Sequence, residues 1–316
     1  MFSIVIPLYN KANHIEDAIR SLMRQSFDRY EIIVVDNNSS DDGLAIVQKM
    51  DEPRIVVVEE KNQGVSYARN RGVSLAKYHW ICFLDADDTW EKDQLLNFNH
   101  AISKHTEILV FANNYKIVDA KGRERKCERN NSHYDHQIYN KPCFFHDYNH
   151  GDMPVNMNSV CMHKDVFQKI GGFSNELKNG EDTLFWMKIF LRNKIYFTDY
   201  VGSTYHLKAS NRSNNLEVFS VELPVIKEFV KVFKSEPIFN NYQKDFHAFI
   251  AKHLFVSVMA NIKLGRLALA KSFFYDKRVY AYPQKTTLFV ALLLSFTPIF
   301  ISKSLLKFLH KKGFVS

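Results

Sequence analysis

The sequence predicts an α/β fold, a doubly wound and mainly parallel sheet with a C-terminal helical appendage, and three observations predict it. Short β-branched runs alternate with helical patterns through the first part of the chain, as in repeated βαβ units. Three of these runs end directly in polar clusters, and in such sheets ligands sit outside the carboxyl ends of the strands. The length of 316 residues is enough for one full α/β domain and a further piece.

Each element follows from its local residues. Ser3 to Ile6 reads as the first strand, and Asn13 with Glu16 offers a capping-box start for a helix from His14 to Arg24. Glu31 to Val35 is the second strand, with Asp41 opening the next helix. Ile55 to Val58 is the third, and Gly64 precedes a helix over Val65 to Ala76. Tyr78 to Leu84 is the fourth, apolar from Trp80 onward. Further on, Ile195 to Tyr200 reads as a strand with Thr204-Tyr205-His206 after it. Beyond about residue 215 the pattern turns helical, and Phe246 to Lys263 with Arg266 to Tyr275 reads as an amphipathic hairpin turning at Gly265 and packing on the catalytic domain. A lone repeat-like hairpin is the alternative for that pair.

The fourth strand runs into Asp85-Ala86-Asp87-Asp88, three carboxylates in four residues. Like charges that close repel unless a cation or a proton offsets them. All-oxygen ligands favour Mg²⁺ or Mn²⁺ over zinc, and such ions are held together with phosphates, so a phosphate-bearing substrate is expected. The four cysteines, Cys82, Cys127, Cys143 and Cys161, contain no Cys-x-x-Cys pair, which argues against a thiolate zinc site or a disulfide framework and for a reducing cytosol. His133, His136, His146 and His150 lie in a polar stretch without thiolates, which reads as a solvated loop facing an acceptor and not as a zinc site. Met1 to Pro7 has no basic leader and is too short for the apolar core of a secretory signal, so none is expected.

The net charge of +8 is unevenly spread. Residues 250–316 carry eleven Lys or Arg against one acid, Asp276, and the preceding body holds 31 bases against 33 acids. A near-neutral body argues against nucleic acid, and a basic end points to an anionic membrane surface. Between Lys285 and Lys303 lie 17 residues, mostly apolar and interrupted by Ser295, Thr297 and Pro298. A bilayer span wants ~20 predominantly apolar residues, so this stretch falls short. Lys303, Lys307 and Lys311 then share one helical face and Leu305, Leu306 and Leu309 another, the pattern of a monotopic, in-plane or re-entrant anchor.

Four motifs in fixed order carry a resemblance: Pro7-Leu8-Tyr9-Asn10, then Asp36 to Gly43, then Asn62-Gln63-Gly64 through Arg69-Asn70-Arg71-Gly72, then Asp85-Ala86-Asp87-Asp88. Together they resemble the family 2 glycosyltransferases of the GT-A fold, with Ile170-Gly171-Gly172-Phe173 and Gly180-Glu181-Asp182 similar to the family's acceptor-side segment and Glu-Asp motif. The resemblance implies a nucleotide-sugar donor, UDP being the commonest carrier, bound by Pro7, Tyr9, Asp36, Asn62, Gly64, Arg69, Asp85 and Ala86. Tyr9 would stack on the base, Asp36 accept its imide or amino proton, Arg69 meet base or phosphate oxygens, and Asp85 the ribose hydroxyls. Asp87, with His206, would hold Mn²⁺ or Mg²⁺ against the diphosphate. Asp182 is the candidate general base and Glu181 its rival, for direct displacement that turns an α-linked donor into a β-linked product.

Taken singly, each motif has a plainer meaning. Asp36 to Asp41 is then an Asx-rich turn, Gly64 a helix-start glycine, Tyr9 a rim aromatic, His206 a satisfied structural histidine, and Glu181 and Asp182 acids complementing a helix dipole. Asp85-Ala86-Asp87-Asp88-Thr89 also fits the Asp-x-Asp-x-Thr pattern of haloacid-dehalogenase-type phosphatases, although three strands precede it here. An inactive sugar-binding module is a third alternative. The expected organisation is a catalytic domain over 1–215, divided into a nucleotide-sugar half (1–118) and an acceptor half (119–215), a helical region over 216–281, and a membrane-associating tail over 282–316. The expected setting is surface polysaccharide synthesis on a glycan or lipid-linked acceptor, at the cytoplasmic face of a bacterial inner membrane, with the enzyme peripheral or monotopic.

Overall fold

The computed structural model describes residues 1–128, 134–135, 138–139, 143–207, 224–237, 241–281 and 285–296. The chain divides into two compact units, one made of residues 1–147 and 151–211, the other of 148–150 and 212–316.

The first unit is built on a mixed sheet. Its opening strands are β1 (Phe2–Leu8), β2 (Tyr30–Asp36), β3 (Ile55–Glu59) and β4 (Trp80–Phe83), each pair among them parallel, in the order β3-β2-β1-β4. Between them run the helices α1 (Ile15–Met23), α2 (Gly43–Gln48) and α3 (Val65–Leu75), completing the expected βαβαβαβ half. Tyr30 to Asp36 is buried at every position, as a central parallel strand covered on both faces must be. One face of this half packs Ile4, Ile6, Leu8, Ile19, Leu22, Ile32 and Val34 with Trp90 and Phe98. On α3, a Cβ at Gly72 would stand 2.3 Å from Val5 Cγ1, so only glycine lets this helix lie so close to β1.

Beyond β4 the sheet changes direction. Strand β5 is Thr89–Trp90, helix α4 is Gln94–Lys104, β6 is Val110–Val118 and β7 is Glu124–Lys126. After the short pairs β8 (Tyr134–Asp135) and β9 (Ile138–Tyr139) come α5 (Cys143–His150), β10 (Val160–His163), α6 (Lys164–Ile170), α7 (Glu181–Arg192) and β11 (Ile195–His206). Strand β10 inserts antiparallel between β4 and β6, and β11 pairs parallel with β6 with bulges around Val201. The parallel pattern therefore holds for the first four strands and gives way to mixed pairing beyond β4. Cys82, Cys127 and Cys161 are buried free thiols.

Two local expectations change. The capping box at Asn13 and Glu16 does not form: the N-cap of α1 is His14 with no side-chain bond. The Glu16 carboxylate is taken by Arg20 one turn on, and the N–H groups of His14 and Ile15 donate to the Lys11 carbonyl. Asp41 does not cap α2 directly but accepts from Gly43 N at 3.0 Å, so the helix starts two residues later.

The second unit is helical: α8 (Val225–Lys234), α9 (Gln243–Leu264), α10 (Leu267–Phe274), a 3₁₀ turn at Lys277–Ala281 and α11 (Lys285–Phe296). Gly265 ends α9 at φ +76°, where its N–H reaches Ile262 O and Arg266 N reaches Asn261 O, the left-handed turn expected there. Helix α9 is not amphipathic as expected. Ser257, Val258, Met259, Ala260, Asn261 and Ile262 are buried in succession, because α8, α10, α11 and the 3₁₀ turn surround it. No helix among the described residues is long and apolar enough to cross a membrane. Residues 297–316, including Lys303, Lys307, Lys311 and their leucines, lie outside the described residues, as do His133 and His136.

Candidate active site

The in-register ends of the parallel strands bring three loops together. Leu8 pairs with Asp36 and Asp36 with Glu59, so the residues after each strand emerge side by side. Side chains from neighbouring loops then fix their paths. Asn10 Oδ1 accepts from Ser40 N at 2.7 Å, and Ala12 N donates to Asp41 Oδ2 at 2.8 Å. Asn37 clamps the third loop: its Nδ2 donates to the carbonyls of Glu60 and Asn62, and its Oδ1 accepts from Gly64 N at 2.7 Å. Asn10 and Asn38 take left-handed backbone, at φ 51° and 62°, which asparagine tolerates better than most residues. Gly64 sits at φ +140°, a conformation that a side chain would strain.

These clamps shape one end of the cleft. Tyr9 follows β1 with 42% of its surface exposed, and its hydroxyl accepts from Gln63 Nε2 at 3.1 Å. Asp36 ends β2 almost fully buried, and its Oδ1 is buried without a hydrogen bond among the described residues. A buried carboxylate oxygen is costly to leave unmatched, so this atom suits an N–H donor brought by a ligand. Pro7 lies in β1 opposite Val35. The Asn62 side chain turns to Glu60 Oε1 at 2.8 Å, holding the loop.

The acidic loop after β4 supplies the centre of the cleft. Ala86 is buried and Asp85 and Asp87 stand on either side of it. Arg69, buried on α3, donates through Nη2 to Asp85 Oδ1 at 2.9 Å and through Nη1 to Glu181 Oε1 at 3.5 Å, while its guanidinium lies 5.3 Å from the Phe173 ring centroid. The position expected to meet base or phosphate oxygens thus faces two carboxylates and joins the acidic loop to α7. Burial works against the Arg69 charge, yet the Asp85 and Glu181 carboxylates outweigh it and hold its pKa above the ordinary value. Asp87 Oδ2 receives Lys11 Nζ at 2.8 Å.

Asp88, the third carboxylate, has a different task. It is fully buried; Oδ1 accepts from the backbone N of His206 at 2.7 Å and Oδ2 from Asn158 Nδ2 at 2.7 Å. Burial first, and then the charges of Asp85 and Asp87, push its pKa well above the usual range. Asn158 Oδ1 in turn accepts from Asp85 N at 2.8 Å. The loop is therefore closed onto the end of β11, which brings His206 within electrostatic reach of Asp87, and burial lowers the His206 pKa. Its Nε2 lies 3.5 Å from Thr89 Oγ1.

Gly180 at φ +77° starts α7, and Glu181 and Asp182 are its first two residues. Burial, then the neighbouring charge of Asp182, raise the Glu181 pKa to about 7 despite Arg69. Asp182 Oδ1 accepts from Thr183 N at 2.6 Å and Thr183 Oγ1 at 3.3 Å. The Gly172 loop is held by Asn70, whose Oδ1 accepts from Phe173 N at 3.0 Å and whose Nδ2 donates to Phe173 O at 2.9 Å.

Lys11, Asn37 and Asn158 are site residues that the sequence reading passed over. Asn37 and Lys11 adjoin the motif residues Asp36 and Asn10, which was the available signal; Asn158 sits in a 3₁₀ turn with none. Among the described residues no three His, Cys, Asp or Glu side chains gather as a metal cage. Mg²⁺ and Mn²⁺ do not require one, since such ions are commonly held by one or two carboxylates and the substrate's phosphates. Asp87 with His206 nearby fits a site that a diphosphate would complete.

Residues 3–169 match the model described as Glycosyl transferase family 2. An uncharacterized glycosyltransferase of Rickettsia prowazekii is 27% identical over 218 residues, covering 68% of this chain and 66% of that one. The amylovoran biosynthesis glycosyltransferase AmsB of Erwinia amylovora is 41% identical over 100 residues, 30% of this chain and 33% of that one. The chain thus spans a third to two thirds of these relatives. The crystal structure of S. aureus TarS 1–349 in complex with UDP-GlcNAc superposes with a TM-score of 0.68 at 19% identity, over 99% of this chain and 92% of that one, a likeness of GT-A fold.

Proposed function

Because the chain belongs to glycosyl transferase family 2, whose model covers residues 3–169, we propose that it is an inverting, metal-dependent glycosyltransferase. It moves a sugar from a nucleotide donor, a UDP-sugar, to a hydroxyl of a glycan or lipid-linked acceptor in surface polysaccharide synthesis. The observation that carries the donor reading is the buried, unmatched Asp36 Oδ1 near the exposed ring of Tyr9. A nucleobase has the stacking face and the N–H donor that this pair takes. The polysaccharide setting is supported by AmsB, named for amylovoran biosynthesis. Membership in this family replaces the phosphatase alternative.

The chain's own residues then divide the work. Tyr9 and Asp36 orient the base, and Asp85, paired with Arg69, takes the ribose hydroxyls. Asp87, with His206, would hold the metal. Bound Mn²⁺ or Mg²⁺ supplies positive charge to the diphosphate as it departs. Asp182 is the general base: its Oδ1 is occupied by Thr183, and Glu181 is the member of the pair tied to Arg69. Asp182 Oδ2 takes the acceptor hydroxyl's proton while that oxygen attacks the anomeric carbon from the face opposite the diphosphate. The C–O bond to the diphosphate breaks and the leaving group keeps its electron pair, so the product is β-linked.

Localisation follows the basic end of the chain. The enzyme works at the cytoplasmic face of the cell membrane, held as a peripheral or monotopic protein by residues 282–316, where basic residues meet anionic headgroups.

The test measures release of nucleoside diphosphate and of inorganic phosphate from UDP-sugars with Mn²⁺. Asp182→Asn should bind UDP as wild type does while transfer falls by ~10²- to 10⁴-fold. Release of inorganic phosphate alone would refute the transferase reading. A dead Glu181→Gln beside a working Asp182→Asn would exchange the two acids' roles.

A further inference from the structure

We propose that Asn158 is a positioning residue for the metal-binding carboxylate: its amide grips both ends of the turn from Asp85 to Asp88 and so sets where Asp87 stands when a divalent ion and a diphosphate arrive. The proposal rests on the donor reading above and deepens it with a residue outside its motifs.

The geometry starts from the sheet. Strand β10 pairs antiparallel with β4, Cys161 opposite Cys82, and continuing that register places Asn158 opposite Asp85. There the ladder gives way to a side chain. Asp85 N donates to Asn158 Oδ1 at 2.8 Å, while the Asn158 carbonyl accepts from Gln94 Nε2 at 2.9 Å. The other end of the same amide, Nδ2, donates to Asp88 Oδ2 at 2.7 Å. Between these grips the turn closes on itself, Asp88 N donating to Asp85 O at 3.0 Å. Asp87 is thus carried on a short loop whose first N–H and last carboxylate are tied to one planar group. An amide alone offers an acceptor and a donor side by side; a carboxylate would bring no donor to Asp88, and an alkyl group neither.

The group that grips is itself held. Asn158, Gln94 and Asn113 are all fully buried. Gln94 Oε1 accepts from Asn113 Nδ2 at 2.8 Å, and Asn113 Oδ1 accepts from Thr198 Oγ1 at 2.5 Å. A Cβ at Gly202 would fall 1.5 Å from Gln94 Oε1, so β11 forgoes a side chain there to admit this amide. Such a buried polar chain is rigid, because losing one member leaves the next a costly orphan. Asp85 has a further hold in Arg69 Nη2, and Asp88 one in the backbone N of His206. Asn158 adds what those two lack, a tie from one end of the turn to the other.

The test follows Mn²⁺ binding to the full chain, with UDP present, by loss of the free-ion electron paramagnetic resonance signal, and UDP binding in EDTA by calorimetry. Asn158→Leu, close in volume, and Asn158→Ala should each weaken Mn²⁺ binding by ~10- to 100-fold, the usual cost of removing a group that holds a metal's ligand in place. UDP binding in EDTA, carried by Tyr9 and Asp36, should stay as in wild type. Joining Asn158→Asp with Asp88→Asn reverses the direction of the bond between the two positions and conserves the charge of the pair, so this double variant should regain most of the wild-type Mn²⁺ affinity. A lowered melting temperature with unchanged Mn²⁺ affinity in the Leu or Ala variant would make Asn158 a packing residue and overturn the proposal. A double variant that regains the melting temperature but not the Mn²⁺ affinity would overturn it as well. If the wild type takes up Mn²⁺ but no UDP, the donor reading fails, and the same variants compared with Mn²⁺ alone still decide the role of Asn158; a wild type that takes up neither refutes both.

Discussion

Replacing Glu181 by Gln should stabilise the catalytic unit at pH 8 and do so far less at pH 5. The Glu181 carboxyl is only 12% exposed, and burial with the adjoining Asp182 lifts its pKa from 4.5 to about 7. A carboxyl whose pKa is raised by folding holds its proton more tightly folded than unfolded. Its favourable contribution is complete below 4.5, declines as pH climbs from 4.5 to 7, and stays lost above. A shift of that size corresponds to at most about 3 kcal/mol. Gln resembles the protonated carboxyl in shape and charge, so it escapes this loss. For a unit of about 200 residues, 1 kcal/mol moves the melting temperature by ~2–4 °C, so the variant should melt up to ~6–12 °C higher at pH 8. Thermal unfolding of wild type and Glu181→Gln at half-unit intervals from pH 5 to 8 reads this directly. Parallel pH profiles, or a variant less stable at pH 8, would refute the argument and mean that the Arg69 ion pair outweighs burial.

Three further expectations concern the metal, a close approach and the tail. Asp87→Asn keeps the side-chain shape but removes the charge, so transfer should fall by several orders of magnitude, and EDTA should abolish wild-type turnover, because metal-borne charge is worth several kcal/mol; full activity in EDTA would contradict the role given to Asp87. Gly72→Ala places a Cβ 2.3 Å from Val5 Cγ1 and should cost ~1–3 kcal/mol in denaturant unfolding, with Val5→Ala restoring part of the loss. A chain ending at residue 281 should bind UDP but detach from anionic vesicles, to which the full chain should bind less strongly in high salt at about 1 kcal/mol per basic residue near the surface; a tag after Ser316 protected inside sealed vesicles would point to a spanning tail instead.

The parallel half of the fold was legible because its signal is local. Strands such as Tyr30–Asp36 carry an unbroken apolar run, Ile32 to Val35, and Gly64 marks its helix start without outside help. The acceptor half was not, since β10 takes its place by pairing with Cys82 on one side and Phe111 on the other, a choice made between residues fifty to eighty positions apart. The site divides in the same way. Strand ends announced where Tyr9, Asp36 and Asp85 would emerge, but not what each would touch. Arg69 was placed on its helix correctly, yet its partner Glu181 lies 112 positions away. Asp88 looked like a third member of the acidic cluster until its burial against Asn158 and β11 separated it from Asp85 and Asp87.

The bond from Asp88 to residue 206 is made to a main-chain N–H and not to the imidazole. Any amino acid but proline supplies that hydrogen. The latch that shuts the acidic loop is therefore indifferent to the side chain it carries into the cleft. Position 206 is free to exchange histidine for another ligand, or for a residue that ignores metal, without reopening the loop, so the chemistry of the site can drift while its frame stays still.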